Sequence, residues 1–379
     1  MDDNSLHYLV EKIRIQAQIT DLQELFPHKE LGWIRDSQLL SMPICSQTMG
    51  LRKGSSQLID VLKLMGGASL PVGRIYEGHV NALQLINVYA DQEQKNTLFS
   101  DIINRQLLLG VWNTQQADGV VIRQIEEGKY RLEGCKTFCS GGHWIQLPMI
   151  TGQLISKQTN GWQMCIIPLE KVKRISVDSS GWKPLGMRAS ASYKMDFTGI
   201  VIDRNDLIGQ VSDYYRQPYF SAGALRFAAV QLGAVQMILQ ETHRFLKDSG
   251  RADDTFQKIR IAEMATLVET GNLWVSRATV LTDLWQGACR HTESLLAYVN
   301  MTRSVIAETC IRCMDLAERS VGISALMQPH PLERIHRDLT TYLKQPAPDA
   351  AVLSTGTYVL NQQDVNSMWA DSDCSIRPC

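Results

Sequence analysis

Residues 224–239 read Ala-Leu-Arg-Phe-Ala-Ala-Val-Gln-Leu-Gly-Ala-Val-Gln-Met-Ile-Leu. Ala224, Phe227, Ala228, Gln231, Leu232, Val235, Ile238 and Leu239 recur at intervals of three and four. They therefore share one side of a helix, a mostly apolar side built to be buried. Two similar stripes follow, from Phe256 to Trp285 and from about His291 to Val321. Long helices joined by short breaks predict an antiparallel bundle. Pro329-His-Pro331 bounds its third helix, and a further helix is expected from Leu332 to Leu343, ending before Pro346-Ala-Pro348.

Upstream of Pro218 the period is different. Val120-Val-Ile-Arg123 and Tyr130-Arg-Leu132 flank Glu127-Gly128, and Met149–Leu154 and Met164–Pro168 flank Asn160-Gly161. Both read as hairpins, the second on a strong turn dipeptide. Ile175–Val177, Ser192–Phe197 and Ile200–Ile202 are further strand-like pieces. From Ser5 to about Gly110 the text is helical again: Leu6, Leu9, Val10 and Ile13 form a stripe, as do Leu83, Ile86 and Asn87. Gly66-Gly67 and Pro71-Val-Gly73 are expected to break helices. The resulting α+β chain has an N-terminal helical domain (1–110), a central β domain (111–212) and a C-terminal helical bundle (213–379). Strands that are not interleaved with helices argue against a doubly wound sheet.

The bulk chemistry narrows the function. A length of 379 residues and 44% hydrophobic content give a sizeable core, and a net charge of −1 points away from nucleic acid and anionic membranes. The like-charge runs, Glu126-Glu127 and Lys171-Val-Lys-Arg174, read as solvated turns. Nine cysteines without regular spacing, no apolar leader after Met1 and no apolar stretch of ~18 residues predict a cytoplasmic protein with free thiols. Cys310 and Cys313 have redox-motif spacing, but inside a helical pattern they read as buried thiols on one face. No dinucleotide fingerprint, P-loop or zinc-protease string occurs, and no metal site is expected.

Four strings, in order, carry a resemblance. They are Gly134-Cys-Lys-Thr-Phe-Cys-Ser-Gly-Gly142, Leu185-Gly-Met-Arg-Ala-Ser190 followed by Tyr193-Lys-Met-Asp-Phe197, Asp206-Leu-Ile-Gly209, and Pro331-Leu-Glu-Arg-Ile-His-Arg-Asp338. Over nearly its whole length the chain resembles the acyl-CoA dehydrogenases. The resemblance implies that family's α–β–α fold, FAD as cofactor, an acyl thioester substrate and a homodimer or homotetramer. It places Phe138 as a wall over the flavin ring, Ser140 as a hydroxyl at its edge, Asn113 or Thr114 as further flavin contacts, and Arg188 on an anionic part of the substrate. Lys136–Ser140 alternates as a strand does, so Phe138 and Ser140 are expected on one face and Cys139 on the other.

The departures are specific. The family's dehydrogenases remove an α-proton with a carboxylate, which must reach that carbon. Eight residues beyond Arg337-Asp338 the text is Tyr342-Leu-Lys-Gln-Pro-Ala347, and the other family position falls in Phe220–Arg226; neither holds an acid. The arginine-phenylalanine-glycine string that meets the flavin pyrophosphate is missing, with Arg251 as a substitute, and the paired glycines of the nucleotide loop are reduced to Val321-Gly322. Replacement bases are His143 and Asp349; His330 and His336 read as capping or solvated groups. Three functions follow: an FAD-dependent oxidoreductase acting on an acyl thioester, a flavin monooxygenase or oxidase on the same scaffold, and a binding protein that has kept the fold without catalysis. The broad apolar arc of Trp274, Val275, Ala278, Leu281, Leu284 and Trp285 adds an expectation of self-association.

Overall fold

The computed structural model describes residues 2–44, 53–172, 175–288, 292–344, 347–366 and 368–369. The expected helix start at His291, Lys173-Arg174 of the basic run and the stop at Pro346 lie outside them. Among the described residues the first named helices are α1 (Asp3–Leu22), α2 (His28–Asp36), α3 (Lys53–Ala68), α4 (Leu70–Tyr89) and α5 (Gln92–Arg105). Asp2 caps α1 through the Ser5 amide at 2.8 Å, and Asp91 and Gln94 form a reciprocal capping box on α5. Gly66 and Gly67 do not break a helix. They sit inside α3, and the break comes at Ser69, which is extended and caps Val72 while Pro71 occupies the first turn of α4.

The glycines serve packing. A Cβ at Gly66 would lie 2.0 Å from the Val230 carbonyl oxygen, and one at Gly233 would lie 1.8 Å from that of Lys63. So α3 crosses α7 (Ala224–Asp248) with backbone against backbone, a contact only residues without side chains allow.

The strands are β1 (Leu109–Trp112), β2 (Val121–Glu126), β3 (Lys129–Glu133), β4 (Cys135–Cys139), β5 (Leu147–Ile155), β6 (Asn160–Ile166), β7 (Ser176–Asp178), β8 (Tyr193–Asp196), β9 (Val201–Asp203) and β10 (Leu207–Ile208). One sheet runs β10-β6-β5-β2-β3-β9, with β1 beside the first half of β5; the other runs β4-β8-β7. The β2–β3 hairpin forms with Gly128 at φ 73°. The β5–β6 hairpin also forms, but its turn is Ser156–Thr159, closed by the Ser156 hydroxyl on the Thr159 carbonyl at 2.7 Å. Asn160 and Gly161 are already paired with Ile155 and Leu154.

After the short α6 (Tyr219–Ala222), α7, α8 (Thr255–Ala288) and α9 (Thr292–Val321) form the bundle, followed by α10 (Pro331–Tyr342) and α11 (Pro348–Leu360). The last was not expected from the text. The segment Tyr219–Asp248 is long and apolar enough to cross a membrane, contrary to the expectation of no such stretch, but 61% of its most apolar window is buried in the protein. It is the bundle's core helix, which passes the same test of length and composition.

Candidate functional site

The end of β4 departs from a plain strand. Its register against β8 shifts between Lys136 and Cys139, and Phe138 takes a φ of 55°, unusual for a bulky residue. Lys136, Thr137 and Cys139 are all buried, whereas Phe138 is 60% exposed, edge-on to Trp182. The expected alternation is thus corrected: a bulge turns both Lys136 and Thr137 inward. Ser140 follows in a tight turn, its amide donating to the Phe138 carbonyl at 3.0 Å. The result is an aromatic ring standing out beside a hydroxyl, set by backbone strain rather than by strand period.

That hydroxyl belongs to a chain. Ser140 Oγ lies 3.0 Å from Ser192 Oγ, which lies 2.9 Å from Ser190 Oγ. Gly141 donates to the Ser190 carbonyl at 2.8 Å, and the Trp112 indole donates to that of Ser140 at 3.0 Å. Ser192 was not singled out in the sequence; only the bulge and the turn before it bring it to Ser140. Thr137 Oγ1 is buried with no hydrogen-bond partner among the described residues.

Asn113 is committed inside the β domain. Its carbonyl accepts from Lys136 Nζ at 3.0 Å, and its Oδ1 accepts from Thr151 at 2.7 Å and from Trp162 at 3.2 Å. Burial pushes the Lys136 amine down to about 8, with Gln115 and Thr151 as its other partners. Thr114 is exposed and its carbonyl takes the Thr137 amide at 2.9 Å.

Arg188 pairs with Glu24 at 2.7 Å, tying the β domain to the loop after α1. Arg251 is exposed in the α7–α8 turn, and Asp349 is exposed in the first turn of α11. His330 caps α10 through the Leu332 amide, and His336 pairs with Glu318 at 2.7 Å. His143 is exposed, its ring 4.0 Å from that of Trp144, and burial and then His28 hold its imidazole below the ordinary value. The structure therefore brings Phe138 and Ser140 together and leaves Arg251 and Asp349 on exposed turns of the helical region.

A second polar cluster was missed in the sequence. On α4, Arg74, Glu77, Asn81 and Gln84 recur at intervals of three and four in a helix that is otherwise largely buried. Glu77 is 3% exposed. Its Oε2 accepts from Arg74 and its Oε1 from the Asn81 amide. From the first turn of α7, Arg226 donates through Nε to Asn81 and through Nη1 to Gln84. Burial pushes the Arg226 guanidinium down to about 10, against the raising effect of Glu77. Beside this row lies a cleft of about 80 Å³, walled by Val111, Tyr214, Tyr219 and Phe220. Val111 adjoins Trp112, which holds the Ser140 carbonyl, and the Arg188–Ser190 turn packs on α4. The cleft and the serine chain thus share a scaffold. Tyr342, the last residue of α10, is fully buried near Arg74 and Glu77, and its hydroxyl has no partner among the described residues.

Comparison with known proteins agrees with this architecture. A family model described as acyl-CoA dehydrogenase, C-terminal domain, matches residues 225–344. Dibenzothiophene monooxygenase of Rhodococcus erythropolis is 24% identical over 258 residues, covering 64% of this chain and only 61% of that enzyme's length. The structure of TdsC from Paenibacillus sp. A11-2 with FMN and indole superposes with a TM-score of 0.85 at 17% identity, over 94% of this chain and 96% of that one. Butyryl-CoA dehydrogenase from Megasphaera elsdenii superposes at 0.81 with 13% identity, over 95% and 99%.

Proposed function

We propose that this chain, which has the acyl-CoA dehydrogenase fold, is a flavin-dependent monooxygenase rather than a dehydrogenase. The observation that carries this reading is that no acid lines the cleft among the described residues, together with the state of the carboxylate in the polar row next to it. Among the described residues, Glu77 is the one acid in the row beside it, and Arg74 and Asn81 engage both of its oxygens. A carboxylate held that way is poorly placed to take an α-proton from a thioester, a step in which a positioned base contributes ~10²–10⁴ in rate. Oxygen transfer needs no such base.

The residues at the end of β4 fit a flavin ring edge. Phe138 offers an exposed aromatic wall, Ser140 a hydroxyl held by Ser192, and Thr137 an unpartnered buried hydroxyl. When bound, the reduced flavin would supply the two electrons that let one oxygen atom enter the substrate and the other leave as water. The chain's own part is to hold the ring, exclude water with Phe138 and Trp182, and orient the substrate in the cleft. FMN is favoured over the FAD expected from the resemblance, because the strings that would meet the pyrophosphate and adenine are the ones missing from the sequence. The FMN bound to TdsC supports the same choice, and the similarity to dibenzothiophene monooxygenase supports the reaction class.

Self-association is part of the proposal. Leu273 and Val280 on α8 are 63% and 47% exposed, apolar surface that a dimer or tetramer would cover. Light scattering should give at least a dimer at micromolar concentration; a monomer would refute it. The function is tested by oxygen uptake with FMN, NADH and a separate flavin reductase, using indole and small thioethers as probes. Substrate-dependent product with one oxygen atom added is expected. Uptake that yields only hydrogen peroxide with every probe would contradict the reading.

A further inference from the structure

We propose that the cleft between α4 and α7 is an oxyanion subsite, in which Arg226 receives the carboxylate, sulfinate or sulfonate group of a small anionic substrate; as a statement about substrate, this rests on the monooxygenase reading. The argument starts from charge. The row holds two guanidinium groups, Arg74 and Arg226, and one carboxylate, Glu77. Glu77 spends one oxygen on Arg74 and the other on Asn81. That second bond fixes the Asn81 amide so that its oxygen faces Arg226. Arg226 is thereby left with two neutral acceptors, the amide oxygens of Asn81 and Gln84. The other nearby acid, Asp213, is engaged by the Gln210 amide at 2.7 Å and pairs with Arg216. A half-buried cation with no countercharge of its own loses part of its hydration without an ion pair to offset it.

The Nη2 group of that cation faces the cleft. No hydrogen bond is seen from Arg226 Nη2 among the described residues. It lies beside Gly223, where an added Cβ would stand 3.1 Å away, and Arg226 and Gly223 both line the cleft. The N–H donors of Nη2 can make charge-assisted hydrogen bonds to an oxyanion. The opposite walls are aromatic or aliphatic: Tyr214, Tyr219, Phe220 and Val111. Behind that wall, Tyr89 lies edge-on to Tyr219 with centroids 5.8 Å apart. The cleft volume is about 80 Å³, well above the ~10–15 Å³ that a single water needs on that scale. That is room for an oxyanion and one or two carbons, with any longer body directed out of the cleft.

Calorimetric titration of the purified, flavin-free full chain tests this without reference to oxygen chemistry. The probes are methanesulfonate, methanesulfinate and propionate, each against a neutral analogue, dimethyl sulfone or propanamide. One-to-one binding of at least one anion is expected, about tenfold or more tighter than its neutral analogue, and the ranking of the three identifies the acid type. Arg226→Lys should weaken binding about tenfold and Arg226→Gln at least thirtyfold. Gly223→Val places carbon over the Nη2 edge while keeping the charge, so it should also abolish binding and guards against a misfolded Arg226→Gln. Equal binding of anion and neutral analogue, binding that survives both Arg226→Gln and Gly223→Val, or no binding of any anion would overturn the proposal. Anion binding without any oxygen transfer would instead count against the monooxygenase reading alone.

Discussion

Helix α7 meets its neighbours in two contrasting ways. At Gly233 it presses against α3 with no side chain between the backbones, and Gly66 does the same from the other side. At Arg226, two turns earlier, it faces α4 across a row of amides and charges beside a cleft. The first contact is the tightest packing available to helices, and it fixes where the second can form. A helix anchored by glycine on one side can hold a half-buried cation on another without being free to move away and solvate it fully. The difference teaches that the rigid, apolar contact is structural and the polar, incompletely filled one is where function should be sought.

The strongest way to break the comparison is to put a side chain into the tight crossing. Gly233→Val should abolish the folded state or shift the chain to inclusion bodies, because its Cβ would start 1.8 Å from the Lys63 carbonyl oxygen. Near-normal solubility and a cooperative melt would show that the crossing is looser than described. Next in size is Glu77→Gln, which leaves Arg74 without its carboxylate partner and removes the negative charge nearest Arg226. Breaking a buried pair in this way costs about 3–5 kcal/mol, read from the denaturant midpoint. The surviving protein should bind anions more tightly, since the cleft has gained one net positive charge. A variant both as stable as the parent and unchanged in anion affinity would mean that Glu77 does not set the charge of the row.

Smaller effects belong to the β4 end. Ser140→Ala should shift the spectrum or potential of bound flavin while costing only about 1 kcal/mol of stability, the net worth of one hydrogen bond. Cys139→Ala should leave the flavin spectrum unchanged, because Cys139 is fully buried on the inner side; the reverse pattern would remove Phe138 and Ser140 from the flavin site. The subtlest test is at the joint between α4 and β1. His79 bridges them, with Nε2 2.7 Å from the Leu40 carbonyl and Nδ1 accepting from the Leu109 amide at 3.1 Å. Burial pushes its imidazole down to about 4, so its ring resonances should stay in the neutral form at pH 5, where an exposed histidine is already protonated. A midpoint near 6.5 would show that this joint is open to water.

The period changes at Gly110 and Pro218 made the order of helices and strands legible, because long stripes and hairpin alternation are local signals. What was misread was set by partners distant in sequence. Gly66-Gly67 reads as a helix break until Val230 is seen against it. Asn160-Gly161 reads as a turn until its pairing with Ile155 and Leu154 places the turn four residues earlier. The partner that Arg188 takes, Glu24, is 164 residues away and was not indicated by the text. The same holds for the site. Phe138 and Ser140 are candidates through a resemblance, whereas Arg226 lies in a stretch, Phe220–Arg226, notable in the text only for lacking an acid. The spacing of Arg74, Glu77, Asn81 and Gln84 was visible, but nothing in the text says that this face is buried.

The central claim is that the cleft lacks the base a dehydrogenase needs. Its most direct test is an anaerobic titration of the FMN- or FAD-loaded protein with butyryl-CoA, followed by absorption near 450 nm. The account predicts that the oxidised flavin band persists through a large excess of butyryl-CoA and is bleached at once by dithionite or a flavin reductase with NADH. Rapid bleaching by butyryl-CoA itself would contradict it and return the chain to the dehydrogenases.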